Sequence, residues 1–232
     1  MKRILLKLSG EALSNGTGEL YDNSFVDEVA SALKTCRDEG YQLAVVVGAG
    51  NIWRGRQGGE MDRTAADRMG MLATVINAIC LKDALVRAGV GASVMTAVPM
   101  SPFADNYTSD EAVRRLEIGE VVIFGAGLGI PFLSTDTAGA VRAAEIGADA
   151  MLMAKNVDYI YTDDPRKNPE AKKLECVSAS DVLKMNLKAI DSTATAFCMS
   201  NGMPIRVFGL KEPADILRAV RGETVGTVVT PD

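Results

Sequence analysis

The sequence of 232 residues contains no histidine. This absence excludes several kinds of site together: Ser-His and Cys-His catalytic arrangements, imidazole metal ligands and histidine general bases. Any chemistry carried out by this chain must therefore use carboxylates, amines, guanidinium groups, hydroxyls and backbone groups.

Cysteine is scarce and scattered. The four cysteines, Cys36, Cys80, Cys176 and Cys198, are far apart along the chain. Their spacing matches neither a metal site nor a C-x-x-C redox motif. We interpret them as reduced thiols, which is typical of a cytoplasmic protein.

The sequence also lacks long apolar runs and basic blocks. Hydrophobic residues make up 47 % and charged residues 24 %, a globular composition. No uninterrupted apolar run approaches the length of about 18 residues that crosses a bilayer. Lys7 ends the first apolar run, so we expect a strand of the mature protein there rather than a signal peptide. The net charge of −5 argues against a nucleic acid partner, and we expect no membrane partner either.

Short apolar runs alternate with longer amphipathic stretches. The apolar runs predict strands at residues 4–9, 42–47, 92–96, 120–124, 150–154, 205–208 and 227–230. The amphipathic stretches predict helices at residues 24–39, 62–88, 135–146, 178–187, 191–201 and 213–221, the first with Ser24 as its N-cap. This alternation predicts one α/β domain, a three-layer α/β/α sandwich with a mainly parallel central sheet.

Parallel sheets bind ligands at the carboxyl ends of their strands, and two loops there are suited to anions. In the first loop, Lys7 lies inside an apolar run, where an ammonium is unfavourable unless an anion neutralises it. The alternative is a lysine that snorkels from an edge strand. In the second loop, the glycines at 48 and 50 offer backbone N–H groups, and Arg54 follows. The alternative for Arg54 is an ordinary solvated side chain.

A third loop, residues 125–136, joins a predicted strand to a predicted helix. It contains three glycines and ends in Ser134, Thr135 and Asp136, so it can present a helix N-terminus to an anion. One of these three residues is also expected to cap the helix.

Two common nucleotide fingerprints are absent. A Walker A loop needs a Gly-Lys pair, and the sequence has none. The G-x-G-x-x-G pattern fails because Ile130 and Trp53 occupy the positions of the third glycine. The remaining residues favour phosphoryl transfer to an acceptor that is already ionised near pH 7, which needs no general base.

The segments KLSGEAL from Lys7, GAGNIWRG from Gly48 and DRMGMLAT from Asp67 resemble the bacterial UMP kinases (uridylate kinases) of the amino acid kinase family. Shorter matches continue in the same order as far as the PIRVF segment from Pro204. The resemblance implies transfer of the γ-phosphoryl group of ATP to UMP with Mg²⁺ held mainly by the ATP phosphates. It also implies an N-terminal part that binds mainly UMP and a C-terminal part that binds mainly ATP.

Site residues follow from the matching positions. For catalysis these are Lys7, Arg54, Asp136 and Asp191. For ATP they are Lys7, Leu8, Ser9, Gly10, Gly50, Arg54, Asn156, Tyr161 and Asp164. For UMP they are Ala49, Asp67, Leu128, Gly129, Ile130, Pro131, Phe132, Leu133, Ser134 and Thr135. Asp191 is equally suited to capping a helix, and Lys155 could take the place of Asn156.

The resemblance further implies a homohexamer that GTP activates and UTP inhibits. The residues that match a GTP-associated stretch are Asn15, Gly16, Thr17, Gly18, Glu19 and Leu20. The long predicted helix at 62–88 is either a core helix or a subunit interface. Two alternatives stay open: a sibling enzyme that phosphorylates a carboxylate or carbamate, and a non-catalytic regulator that senses UMP or UTP.

Overall fold

The strands of the sheet follow the predicted apolar runs. The computed structural model describes residues 2–53 and 59–232. Its strands are β1 Arg3–Leu8, β2 Gln42–Val47, β3 Ala92–Thr96, β4 Asp105–Asn106, β5 Val121–Gly125, β6 Ala150–Lys155, β7 Ile160–Tyr161, β8 Lys173–Leu174, β9 Cys176–Ser178, β10 Ile205–Gly209 and β11 Thr227–Thr230. Nine strands form one sheet in the order β4-β3-β5-β2-β1-β6-β10-β11-β9, while β7 and β8 form a separate pair. Only the β10–β11 pairing within the large sheet is antiparallel among the described strands.

Helices connect the strands and cover both faces of the sheet. They are α1 Asn23–Asp38, α2 Arg63–Arg87, α3 Ser109–Glu117, α4 Thr135–Glu145, α5 Ala179–Lys184, α6 Ser192–Ser200 and α7 Ala214–Val220, with a 3-10 helix at Gly10–Ser14. The prediction of a three-layer α/β/α sandwich with a mainly parallel sheet is confirmed.

The start of α1 corrects one prediction. Asp22, rather than Ser24, is the N-cap, and its Oδ1 accepts the backbone N–H of Phe25 at 3.2 Å. The Ser24 hydroxyl instead donates to the same Asp22 oxygen at 2.7 Å. A carboxylate at the N-terminus also faces the positive end of the helix, which favours aspartate in this position.

Alternation along β1 separates the two cores. Leu6 and Leu8 pack into the core beneath α1, α2 and α7. Leu5 packs into the opposite core beneath α3, α4, α5 and α6. Because successive side chains on a strand point to opposite faces, Lys7 points to the same face as Leu5, which is the face covered by α4. β1 is a central strand between β2 and β6, so the alternative of a snorkelling lysine on an edge strand is wrong.

The strand register places the carboxyl ends of β1, β2, β5 and β6 at the same edge of the sheet. Leu8 pairs with Val47 of β2 and with Ala154 of β6, so these three strands end side by side. Val46 of β2 pairs with Phe124 of β5, which places the end of β5 at the same edge. The loops that follow these four strands therefore converge on one side of the sheet.

Helix α2 is the longest of the described helices. With 25 residues and high mean hydropathy, it is long and apolar enough to cross a membrane by length and composition alone. One face of α2 nevertheless packs on β2, β3, β5 and α1. Its opposite face exposes Leu72, Ile76, Ile79 and Val86. We therefore describe α2 as a core helix of the domain that has a second, apolar outer face.

Candidate active site

Two lysines share one buried carboxylate at the carboxyl edge of the sheet. The Nζ atom of Lys7 lies 2.9 Å from Oδ1 of Asp136. The Nζ atom of Lys155 lies 2.6 Å from Oδ2 of the same side chain. Lys7 and Asp136 are each only 7 % exposed. The Asp136 carboxylate thus holds two ammonium groups side by side, one on each of its oxygens.

Packing between α4 and β1 places this cluster. Asp136 lies in the first turn of α4, and Lys7 leaves β1 on the face that α4 covers. A Cβ atom at Gly139 would lie 2.6 Å from Cε of Met151 and 3.7 Å from Cβ of Lys7. The missing side chain at Gly139 therefore lets α4 approach the sheet closely enough for Asp136 to reach both lysines.

The pKa values in this cluster follow from burial and charge. Burial alone raises the pKa of the Asp136 carboxyl, but the adjacent Lys7 and Lys155 ammonium groups outweigh burial and lower that pKa to about 2. Burial lowers the pKa of the Lys155 ammonium, and the Asp136 carboxylate opposes that shift. Asp136 therefore stays ionised at neutral pH, where it can orient both ammonium groups.

Asp191 connects the N-termini of α4 and α6. Its Oδ2 atom accepts the hydroxyls of Ser134 and Thr137, each at 2.6 Å. Its Oδ1 atom accepts the backbone N–H of Thr193 at 3.1 Å, so Asp191 caps α6. Ser134 in turn caps α4 by accepting the backbone N–H of Thr137. Asp191 is thus both a helix cap and a carboxylate close to the lysine cluster, and the two expected roles are compatible.

The first two loops touch each other through glycine. A Cβ atom at Gly10 would lie 2.5 Å from the carbonyl oxygen of Gly48 and 2.7 Å from Oδ1 of Asn51. No larger residue fits there without moving the backbone, so Gly10 is required by close approach. Together, residues 9–10 and 48–50 form a backbone-lined cradle beside Lys7, which we call the glycine cradle.

The third loop is tied to α2. Ala126 has a positive φ of 60°, in the left-handed region that side chains disfavour. Its backbone N–H donates to the Thr74 hydroxyl at 2.8 Å, and that hydroxyl donates to the Met71 carbonyl at 2.6 Å. Thr74 therefore holds the loop after β5 in this conformation, next to the glycine cradle.

These loops enclose a cleft of about 500 Å³. Most predicted phosphate and acceptor residues line it. They are Lys7, Ser9, Gly10, Ala49, Gly50, Asp67, Leu128, Ile130, Leu133, Ser134 and Thr135. The lining is part polar backbone and part apolar side chain, which suits a flat organic ligand that carries an anionic group.

Asp67 lies at the mouth of this cleft, where other groups already engage it. Its carboxylate accepts the backbone N–H of Phe132 at 2.8 Å and pairs with Arg63 at 2.9 Å. The Arg63 guanidinium also lies 5.4 Å from the centre of the Phe132 ring. Asp67 therefore joins α2 to the loop of residues 128–135 across the cleft.

A second cavity of about 530 Å³ lies beyond β6. Its lining includes Tyr159, Tyr161 and Asp164, so two of the predicted ATP residues are here. The Tyr161 hydroxyl donates to Asp158 at 2.9 Å, and Lys173 donates to the other oxygen of that carboxylate at 2.9 Å. Asn156 is exposed between the two cavities, where its side-chain amide donates to Glu11.

The remaining predicted residues within the described part of the chain line neither cavity. Leu8 is buried in the core, so only its backbone can face a ligand. Gly129, Pro131 and Phe132 belong to the loop at the cleft mouth but are not part of the cleft wall. The predicted effector loop, residues 15–20, is exposed on the surface. Arg54 lies outside the described residues.

Sequence reasoning missed two groups that contact this site. Lys155 was considered only as a replacement for Asn156 in binding ATP, yet its ammonium lies against Asp136. The signal was present, because Lys155 follows an apolar strand in the same way that Lys7 ends the apolar run of β1. Asn77 lies within the predicted helix at 62–88 and has no predicted role, although its side-chain amide donates to the Gly48 carbonyl at 2.7 Å. An isolated polar residue in an apolar helix gives no sequence signal of its partner.

The arrangement is suited to stabilising negative charge rather than to moving protons. Lys7, two glycine loops and the α4 N-terminus line one cleft, and Lys155 lies behind Lys7 on the other oxygen of Asp136. No cluster of three or more metal-ligating side chains occurs within residues 2–53 and 59–232. Mg²⁺ commonly uses one or two carboxylates together with substrate phosphates. Asp191 fits that pattern, because its carboxylate lies beside the cleft.

Comparison with known proteins supports this reading. The model of the amino acid kinase family matches residues 2–209. The chain is similar to the crystal structure of a UMP kinase from Bacillus anthracis, with 36% identity, a TM-score of 0.95, and coverage of 100% of this chain and 96% of that chain. A UMP kinase from Ureaplasma parvum gives 34% identity, a TM-score of 0.92 and coverage of 99% and 98%. A uridylate kinase from Archaeoglobus fulgidus gives 28% identity, a TM-score of 0.76 and coverage of 99% and 100%.

Proposed function

Since this chain belongs to the amino acid kinase family, we propose that it is an ATP-dependent UMP kinase that forms UDP for pyrimidine nucleotide synthesis. The observation that carries the proposal is the cleft lined by the glycine cradle, the α4 N-terminus and Lys7, whose ammonium is held by Asp136 together with Lys155. Full-length similarity to UMP kinases supports UMP over other acceptors of the family.

We assign the acceptor to the cleft formed by the N-terminal part of the chain. The UMP phosphate would lie between the first turn of α4 and Lys7, where backbone N–H groups and the helix dipole favour an anion. Asp67 would accept a ribose hydroxyl once its contact with Phe132 opens. The apolar wall that includes Leu128 and Leu133 would surround the base.

We assign the donor to the region between the glycine cradle and the second cavity, with its adenosine end in the C-terminal part of the chain. Ser9, Gly10 and Gly50 would hold the ATP phosphates, and Tyr161 and Asp164 would border the adenosine. Lys7 and Lys155 lie at the junction of the two regions. Their ammonium groups would offset the charge on the γ-phosphoryl group as it passes from donor to acceptor.

The chemistry needs no histidine and no general base. A UMP phosphate oxygen is already ionised near pH 7, so it can attack the γ-phosphorus directly while ADP leaves. Magnesium, carried mainly by the ATP phosphates and contacted by Asp191, would supply further neutralisation of phosphate charge. The protein provides alignment and fixed positive charge.

An acceptor panel tests the proposal. With ATP and Mg²⁺, a coupled ADP-release assay should show turnover with UMP well above that with CMP, dUMP, glutamate, acetylglutamate or carbamate. The proposed site would recognise a phosphate together with a ribose hydroxyl, which none of the carboxylates supplies. CMP carries both groups, so a preference over CMP would come from contacts with the base. Turnover with a carboxylate or carbamate but not UMP would establish the sibling activity, and UMP binding without turnover would establish the regulator.

We also propose a cytoplasmic homohexamer, in which the outer face of α2 packs against the same face of α2 in a second copy. Leu72, Ile76, Ile79 and Val86 recur at intervals of 4, 3 and 7 along that face, which is the spacing of a helix–helix seam. Pairing about a two-fold axis would bury the same stripe on both copies. Three such dimers would form the hexamer.

Replacement of Ile76 by glutamate tests this assembly. A carboxylate in the middle of the stripe should break the α2 pairing and lower the mass measured by light scattering coupled to gel filtration. Ile118→Glu is the control, because Ile118 is just as exposed but follows α3 on the opposite face of the sheet. If Ile76→Glu leaves the mass unchanged, the α2 seam is wrong.

GTP activation and UTP inhibition remain part of the proposal. The residues at 15–20 form an exposed loop in which Gly16 and Gly18 have positive φ angles. The acceptor assay repeated with GTP or UTP measures both effects directly.

A further inference from the structure

Asn77 is a fully buried amide in the middle of α2, with 0 % exposure. Its Nδ2 atom donates to the Gly48 carbonyl at 2.7 Å and to Oδ1 of Asn51 at 2.8 Å. Its Oδ1 atom accepts the Tyr21 hydroxyl at 2.8 Å and Nδ2 of Asn51 at 3.3 Å. An amide side chain has two donor hydrogens and two acceptor lone pairs, so all its bonding capacity is used.

The partners of Asn77 are the residues behind the glycine cradle. The backbone N–H of Gly48 donates to the Leu8 carbonyl at the end of β1, and the Gly48 carbonyl accepts the side-chain amide of Asn77. The peptide groups on both sides of Gly48 are therefore fixed. Asn51 ends the cradle turn and donates to the Leu20 carbonyl at 2.9 Å. Gly10 packs against both Gly48 and Asn51. One amide thus connects the cradle to α2 and to the segment around Tyr21.

We infer that Asn77 is a positioning residue for phosphate binding: with Asn51 and Tyr21 it fixes the direction of the backbone N–H groups in the glycine cradle. A glycine turn has many accessible conformations, and only some of them aim consecutive N–H groups at a phosphate. A buried, fully satisfied polar group specifies one geometry, because every alternative leaves a donor or acceptor unpaired. The inference rests on the proposed kinase function, since the cradle is assigned there to nucleotide phosphates.

The test compares kinetics with stability in Asn77→Ala. We expect kcat/KM for UMP and for ATP to fall about 10–100-fold, because misplacement of binding groups by about 1 Å has effects of that size. KM should rise for both nucleotides, and the protein should still unfold cooperatively above the assay temperature. Ser93→Ala is the matched control. It removes a partly buried hydrogen bond, from the buried Ser93 to Glu120, at the opposite end of the strands, so it should lower stability and leave kcat/KM unchanged.

Asn51→Ala provides a second test if Asn77→Ala does not fold, because Asn51 is only half-buried. It should raise KM for both nucleotides in the same way. Normal kcat/KM in the folded Asn77→Ala or Asn51→Ala variant would overturn the inference. Wild-type turnover with UMP is measured first. If the wild type lacks this turnover, the proposed function fails. The positioning role of Asn77 is then tested by a binding titration that compares the ATP affinity of the wild type with that of Asn77→Ala.

Discussion

Lys7→Ala should lose turnover on the order of 10³-fold while it still binds UMP, because the ammonium group contributes mainly when charge develops on the transferred phosphoryl group. Lys7 is buried on a central strand and faces the cleft, so no solvent cation can take its place easily. The loss should appear mainly in kcat. The dissociation constant for UMP, measured by calorimetry, should rise much less, because the backbone N–H groups at the α4 N-terminus still hold its phosphate.

Two variants make this result specific. Lys34→Ala removes a surface lysine that pairs with Asp38 on α1, and it should leave kcat at the wild-type value. Lys7→Arg keeps the charge but changes its shape, so it should recover only part of the lost rate. Full turnover in Lys7→Ala would remove Lys7 from the mechanism.

Asp136→Asn should destabilise the fold as well as abolish most activity. The substitution leaves the ammonium groups of Lys7 and Lys155 close together without their shared counter-charge. Removal of one partner of a buried ion pair typically costs about 3–5 kcal/mol of unfolding free energy. Chemical denaturation should therefore show a lower unfolding midpoint, in contrast to Lys7→Ala, which still leaves Asp136 paired with Lys155.

A double variant separates the structural from the chemical effect. Asp136→Asn combined with Lys155→Met removes one of the two cations and should recover much of the lost stability. It should not recover turnover, because the remaining Lys7 has no carboxylate to orient it and the second ammonium group, that of Lys155, is gone. Recovery of both would show that Asp136 serves only to balance charge.

The pH dependence of the unfolding free energy supplies an independent test of the role of Asp136. The folded-state pKa of Asp136 is lowered from 3.8 to about 2, so its contribution to stability is complete above the unfolded value and is lost as pH falls through the folded value. The difference in unfolding free energy between wild type and Asp136→Asn should therefore shrink as pH is lowered from about 4 towards about 2. A difference that stays constant over this range would contradict the assignment of that carboxylate.

The local pattern of apolar and polar residues was sufficient to predict most of the helices and strands. The strands at 42–47, 92–96 and 227–230 were predicted with the bounds that the structure shows. Helix α3 was missed because it has only nine residues, of which Ala112 and Leu116 are buried. The short strands β7, β8 and β9 were also missed, since their pairing depends on distant partners rather than on local apolar runs.

The site was predictable where one residue carries its own signal. Lys7 was identified because a lysine inside an apolar run requires a partner, and the structure provides Asp136. The pairing of Lys155 with the same carboxylate depends on the register of β6 against β1, which the sequence does not state. The role of Asn77 depends on tertiary contacts with Gly48 and Tyr21, so it becomes visible only in three dimensions.

The outermost strands of the sheet bear on how this protein avoids aggregation. β4 has two residues and β9 has three, so each edge leaves few free backbone groups for a foreign strand to pair with. Self-association through strand addition is therefore suppressed at both edges. In the proposed hexamer, copies of this chain would instead meet through side chains on helices, where the choice of partner can be specific.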